Sequence, residues 1–196
     1  MPIEVMFQDL VYRDTLSQFR PFNNIYYNKA LEIQKHSVMN SKWKCDTFNT
    51  YALFDLAEDN TFDSLIKACQ DKVNTFALEH GISRKIEYLN SWINIANKEN
   101  FQEYHRHERS HFSLVYYVKT PLNCGNLIFK KDTHDDMFRL PFEDNPVNKT
   151  AGYDSYYIVP NECDIVIFKS SLLHMVEKNK NEDDRVSIAM NFYYPL

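Results

Sequence analysis

Three glycines in 196 residues leave few places for tight glycine turns, so Asn and Asp must supply most chain reversals. The four cysteines, Cys45, Cys69, Cys124 and Cys163, are widely spaced and form no C-x-x-C pair. Their mostly apolar neighbours suit free core thiols and a reducing compartment, so a cytoplasmic location is expected. No 18 apolar residues run uninterrupted, which removes a transmembrane helix, and no membrane partner is expected. Met1 to Leu10 carries Glu4 and Asp9 and has no basic segment followed by an apolar run, so it does not read as a signal peptide. Basic residues are not in excess: a formal net charge of -5 gives no electrostatic footprint for wrapping nucleic acid, and no nucleic-acid partner is expected. Internal repeats and low-complexity tracts are absent as well.

What is present is apolar and aromatic. Apolar residues make up 44% and aromatics 15%, with 13 Tyr and 14 Phe, a composition that suits β-rich packing and opposes wholesale disorder. The length fits one domain that buries about two-thirds of the surface its unfolded chain would expose. Leu65, Ile66, Cys69, Val73, Phe76 and Ala77 recur at helical spacing behind the capping candidates Asp59, Asn60 and Thr61, with Gly81 at the expected stop. A weaker helical stretch covers about Asn28 to Asn40. After Ser83 come short runs rich in β-branched and aromatic residues: Ile86 to Ala96, Phe112 to Val118, Leu127 to Phe129, Tyr153 to Val159, Ile165 to Phe168, Leu172 to Val176 and Val186 to Tyr194. The pattern predicts an α+β, mainly β chain. A single domain over 1–196 has a helical part to about residue 85 and a jelly-roll core over about 86–196, the helices packed outside it. Lys131 to Gly152, with Pro141, Pro146 and many Asp and Asn, reads as a long excursion that borders a binding site, and Lys178 to Asp184 as a solvated hairpin tip.

Three of the seven histidines, His105, His107 and His111, fall within eight residues. In an extended strand, residues i and i+2 share a face, so His105 and His107 can reach one ion, whereas Glu108 to Ser110 look like a turn that removes His111. His174 follows the run Ile165 to Phe168, which Pro160 introduces. Neutral imidazoles suit iron, zinc, copper or nickel, and three of them leave coordination positions open. Surface or hydrogen-bonded histidines, and a satisfied core histidine at 174, account for the same residues. Arg185 opens an apolar strand two residues before Ser187. A permanent cation there needs an anion, and a bidentate carboxylate fits guanidinium geometry. The alternative is a surface arginine paired with Asp183 or Asp184.

Ser91-Trp92-Ile93-Asn94, Gln102 through His107 and Ser113 through Val118 together resemble the 2-oxoglutarate/iron(II) oxygenase family of bacteria and tailed phages. So do Gly125 through Phe129, Asp164 through Phe168, His174-Met175-Val176 and Arg185-Val186-Ser187-Ile188, and the same order is more distantly similar to prolyl hydroxylases. The resemblance covers about Ser91 to Tyr194. It implies a double-stranded β-helix with iron(II) and 2-oxoglutarate as cofactors. His105 would be the first ligand, His107 would stand where most of the superfamily has Asp or Glu, and His174 would be the distal ligand. By the same resemblance Arg185 would bind the C5 carboxylate, helped by Ser187 and Tyr117, with Asn94 as a further contact. Dioxygen and a peptide or small molecule would be the other partners, and the reaction would hydroxylate a C–H bond, of a prolyl residue by analogy. Glu103 and Glu108 lack the i+2 spacing of a replacement carboxylate. Two rival functions are a cupin-type metal enzyme, although no Glu occupies Ser110 to Ser113, and a catalytically silent jelly-roll module.

Overall fold

The computed structural model describes residues 8–37, 45–51, 53–131 and 155–195. In chain order its regular elements are β1 (Val11–Thr15), α1 (Asn23–His36), β2 (Phe48–Asn49), α2 (Asp63–Leu78) and β3 (Glu87–Ala96). They continue with β4 (Gln102–His105), β5 (Phe112–Lys119), β6 (Leu127–Lys130), β7 (Ser155–Ile158), β8 (Asp164–Lys169), β9 (His174–Val176) and β10 (Arg185–Tyr193). The predicted excursion lies, beyond Lys131, outside the described residues, as does the predicted end of the first helix at Val38 to Asn40.

Helix α2 begins and ends where the sequence signals it. The Asp59 carboxylate accepts from the Thr61 N–H and caps a short 3-10 turn that leads into it. At the far end Gly81 takes a φ of 73°, Ile82 N–H donates to the Ala77 carbonyl and Gly81 N–H to that of Leu78. This is the Schellman closure, which asks for a left-handed residue where glycine pays no steric penalty. Leu65, Cys69, Val73, Phe76 and Ala77 form its buried face.

The strands form two antiparallel sheets, of order β1-β8-β5-β10-β3-β2 and β4-β9-β6-β7. All seven predicted strand runs are present. The N-terminal part, expected to be helical, also supplies β1 and β2, the two edges of the larger sheet. Neither announces itself locally: β2 is two residues long, and β1 is held by tertiary bonds to Asp164, from Arg13 Nη2 (2.7 Å) and Thr15 Oγ1 (2.6 Å). The polar strand β4 was likewise absent from the predicted runs. Alternation along the central strands separates two faces. Val186, Ile188, Met190 and Phe192 of β10, with Leu114 and Tyr116 of β5 and Ile93 and Ile95 of β3, pack in one cluster with α1 and α2. The opposite face looks into the space between the sheets, where Leu127, Phe129, Ile158, Val166 and Phe168 form a second cluster. No described helix is long and apolar enough to cross a membrane.

The stretch 178–184 is more than a solvated tip. Lys178 and Glu182 are solvent-facing, but Asn179 is fully buried, and its amide donates to the carbonyls of Ala96 (2.9 Å) and Asp183 (2.8 Å). A buried side chain with these bonds fixes where β10 starts, and so where Arg185 enters the sheet.

Tyr116 joins α1 to the larger sheet: its buried hydroxyl donates to Asn23 Oδ1 at 2.6 Å, while Asn23 Nδ2 donates to Cys163 Sγ at 3.4 Å. Tyr116→Phe leaves a buried acceptor without its donor and is expected to cost about 1–3 kcal/mol. Urea denaturation measures this; an unchanged midpoint would show that the bond contributes no net stability.

Candidate metal centre and cosubstrate pocket

The cavity between the sheets, about 350 Å³, owes its polar wall to strand register. Ser187 of β10 lies opposite Asn94 of β3 and Tyr117 of β5; Ala189 lies opposite Trp92 and Val115; Asn191 lies opposite Asn90 and Ser113. Because residues two apart share a face, Arg185, Ser187, Ala189 and Asn191 all border the cavity. Val115, Leu127 and Val176 add apolar wall.

The three predicted imidazoles meet at one end. His105 closes β4 directly opposite His174, the first residue of β9, and Phe129 of β6 lies on the other side of His174. His107 lies beyond β4 rather than within it; its N–H donates to the Ser170 carbonyl at 2.9 Å, which holds it beside the approach to β9. Ring centroids are 4.2 Å apart for His105 and His174, 5.0 Å for His107 and His174, and 5.2 Å for His105 and His107. One nitrogen from each lies within 4.8 Å of the others, a spacing that could hold a single ion, and no carboxylate joins this group among the described residues. His111 is elsewhere. The turn at Arg109 (φ 61°) diverts the chain, and His111 Nδ1 accepts from the Tyr194 N–H. Glu108 is exposed and lines the cavity but is not part of the imidazole group.

Their tautomers follow from their partners. His105 Nδ1 lies 2.7 Å from the Glu103 carbonyl and His174 Nδ1 2.8 Å from that of Leu172. A carbonyl only accepts, so each Nδ1 carries the proton and each Nε2 the lone pair. His107 Nδ1 lies 2.8 Å from Asn191 Oδ1 and 2.8 Å from Ser113 Oγ. Burial lowers the pKa of all three, to about 4 for His107 and well below the ordinary histidine value for His174; the neighbouring imidazoles add to the effect at these two. Near neutrality the cluster is therefore three uncharged nitrogen donors, which is what a first-row transition metal requires.

At the other end Arg185 is 3% exposed, and its Nη1 donates to the carbonyls of Cys124 (2.9 Å) and Glu177 (3.3 Å). It makes no ion pair with any described carboxylate. Asp183 pairs with Lys119, and Asp184 accepts from Tyr27 and Asn97, so the reading of Arg185 as a surface partner of these residues is overturned. Burial lowers its pKa, while the same burial raises that of the Tyr117 phenol, which stays protonated and able to donate. All seven residues singled out from sequence, His105, His107, His174, Arg185, Ser187, Tyr117 and Asn94, line this one cavity.

Other residues at the site went unnoticed in the sequence. Asn191 continues the Arg185, Ser187 alternation and was legible from it. Thr47, Asn49 and Tyr51 reach the cavity from the chain around β2, and Tyr51 meets Trp92 edge-on at 5.3 Å; nothing local marks them. Gly125 also matters: at φ 90°, a Cβ there would sit 2.3 Å from the Glu177 carbonyl oxygen that Arg185 contacts. Gly125→Ala should therefore cost about 1–3 kcal/mol through backbone strain. It should also weaken whatever the guanidinium binds, because the displaced carbonyl orients it. Thermal unfolding with and without 2-oxoglutarate tests this, and a wild-type response would show that the close approach is not needed.

Comparison with known proteins agrees with this geometry. Residues 90–191 match the family model described as 2OG-Fe(II) oxygenase. The chain is similar in structure to a Pseudomonas putida prolyl-4-hydroxylase (14% identity, 95% of this chain and 93% of that one, TM-score 0.64). It is also similar to the non-heme alpha ketoglutarate dependent epimerase SnoN from nogalamycin biosynthesis (12% identity, 94% and 76% covered, TM-score 0.66). A third such structure is the viral collagen prolyl hydroxylase of Paramecium Bursaria Chlorella virus-1 in its 2OG complex (13% identity, 93% and 94% covered, TM-score 0.59). No curated protein matches. These structures share the double-stranded β-helix of two facing antiparallel sheets, and the family match spans every landmark from Asn90 to Asn191: the chain belongs to the 2OG-Fe(II) oxygenase family.

Proposed function

We propose that His105, His107 and His174 hold iron(II), that Arg185 binds the C5 carboxylate of 2-oxoglutarate, and that the enzyme hydroxylates a C–H bond of a peptidyl substrate. One observation carries the cofactor assignment. A buried cation with no carboxylate partner among the described residues shares a cavity with three convergent, neutral imidazoles. An unpaired buried charge is costly, and a dicarboxylate that spans the cavity supplies the missing anion at one end and metal-binding oxygens at the other. The donor set therefore fits both groups.

Together, iron(II) and 2-oxoglutarate supply the oxidation of 2-oxoglutarate to succinate and carbon dioxide, coupled to insertion of one oxygen atom of dioxygen into a C–H bond. The chain's own residues bind and orient. Arg185 neutralises the distal carboxylate, with Ser187 and Tyr117 donating hydroxyl hydrogens to it, and Asn94, in register beside Ser187, contacts the same molecule. Val115, Leu127, Val176 and Trp92 exclude water, which strengthens each of these bonds. Nothing in this set is a proton-transfer group, so beyond its metal ligands the protein contributes position and a dry cavity.

Two considerations support a peptidyl substrate. Structures similar to this chain include proteins named prolyl hydroxylases, and the edge-on Tyr51 and Trp92 rings at the cavity form an apolar corner in which a compact side chain can rest. We read the whole chain as one domain, because both helices share a core with the larger sheet, and place it in the cytoplasm, where four free buried thiols persist.

The test is a thermal shift with metal, with and without 2-oxoglutarate. Arg185→Ala removes one side of a buried charge pair and should weaken 2-oxoglutarate by about 2–5 kcal/mol, so its ligand-induced stabilisation should vanish. Without 2-oxoglutarate the variant should unfold within about 1 kcal/mol of wild type, because relief of the unpaired cation offsets the two lost carbonyl bonds. A wild-type 2-oxoglutarate response in the variant would remove Arg185 from the site.

A further inference from the structure

His105 and His174 each fix their tautomer in the same way, on the carbonyl two residues earlier in the chain. His107 does not. Its Nδ1 turns to a side chain brought from β10, Asn191, which is buried to 4% exposure. The Asn191 amide is itself oriented: Nδ2 donates to Asn90 Oδ1 at 3.1 Å, so Oδ1 must face the imidazole. A run of hydroxyls converges on that oxygen. Ser110 Oγ donates to Ser170 Oγ (2.9 Å), Ser170 Oγ lies 2.9 Å from Ser113 Oγ, and Ser113 Oγ donates to Asn191 Oδ1 (2.9 Å). Besides His105 and His174, the described rings beside His107 are those of Trp92 (5.2 Å) and Phe168 (6.4 Å), which offer no acceptor to its Nδ1.

We propose, building on the ligand assignment above, that Asn191 is a positioning residue that makes an imidazole at position 107 a competent metal ligand. Its Oδ1 keeps the His107 proton on Nδ1 and the lone pair of Nε2 toward the metal position. A carboxylate ligand has no N–H and needs no such acceptor, so this network is specific to histidine here. Hydrogen-bond partners of ligating histidines set tautomer and ring orientation, and their loss commonly costs 10–100-fold in metal affinity. Asn191 is a neutral acceptor, so the imidazole is oriented without adding negative charge beside the metal. Asn191→Asp would add that charge and complete a carboxylate–histidine–metal arrangement.

Because Ser113 Oγ also lies 2.8 Å from His107 Nδ1, it can replace Asn191 as acceptor when Asn191 alone is removed. The decisive protein is therefore the double variant Asn191→Leu/Ser113→Ala, compared with Asn191→Asp and wild type in anaerobic titration with Co(II), read by its visible ligand-field bands. The double variant should bind Co(II) roughly 10–100-fold more weakly with altered bands, and Asn191→Asp should bind at least as tightly as wild type. Nitrogen-15 spectra of histidine-labelled protein without metal supply a second reading: His107 should be the Nδ1–H tautomer in wild type and lose that preference in the double variant. Wild-type affinity and bands in the double variant, or an unchanged His107 tautomer, would overturn the proposal. Failure of the wild-type chain to bind Co(II) through its histidines would instead overturn the ligand assignment on which it rests.

Discussion

Every residue of β10 from Arg185 to Phe192 is buried, and this strand carries the main constraint on the structure. A strand enclosed on both faces is ordinarily apolar on both, because polar groups taken from water without partners cost several kcal/mol each. Here Val186, Ile188, Met190 and Phe192 meet that rule against the helices, while Arg185, Ser187 and Asn191 break it on the other face. That face borders the cavity, where Arg185 donates to two carbonyls and Asn191 is bonded to Asn90, Ser113 and His107; the proposed 2-oxoglutarate carboxylate would supply the anion at the Arg185 end. The neighbouring strands follow suit, since register places Asn94, Tyr117 and Ser113 in the same rows.

The electrostatics run from one end of that cavity to the other. The imidazole end offers three neutral donors held neutral by burial, and the Arg185 end offers a fixed cation held by two backbone carbonyls. On the proposed ligand assignment, a histidine in place of a carboxylate at position 107 would leave the loaded metal centre one unit more positive. Retention of iron(II) would then depend more heavily on the orientation of each imidazole. The three rings obtain that orientation from different sources: two from local carbonyls, which cannot be mutated away, and one from side chains on β5 and β10.

Much of this was legible in the sequence because it depends on period and order. The seven strand runs after Ser83 and helix α2, with its Asp59 cap and Gly81 stop, are local patterns, and the structure contains them. The ordered sequence of H-x-H, distal histidine and Arg-x-Ser carried the site residues as a group, although no single motif did. What was not legible is tertiary. Strands β1 and β2 exist because Asp164 and β3 offer partners to segments with no strand pattern of their own. Asn179 appeared as one more polar residue in a charged tip until its burial against Ala96 was visible. The role of Arg185 could have gone either way: its distance from Asp183 and Asp184 is set by how β10 enters the sheet, which sequence spacing does not specify.

On the proposed reading, one cavity binds iron(II) through three histidines and 2-oxoglutarate through Arg185, as parts of one site. Anaerobic titration of the metal-free protein with iron(II) and 2-oxoglutarate tests both halves at once through visible charge-transfer absorption, which arises only when the two ligate each other. The expected result is a band that requires both components, saturates at one of each per chain, and is lost in His174→Ala. A band that persists in that variant, or tight binding of both components without any band, would contradict it.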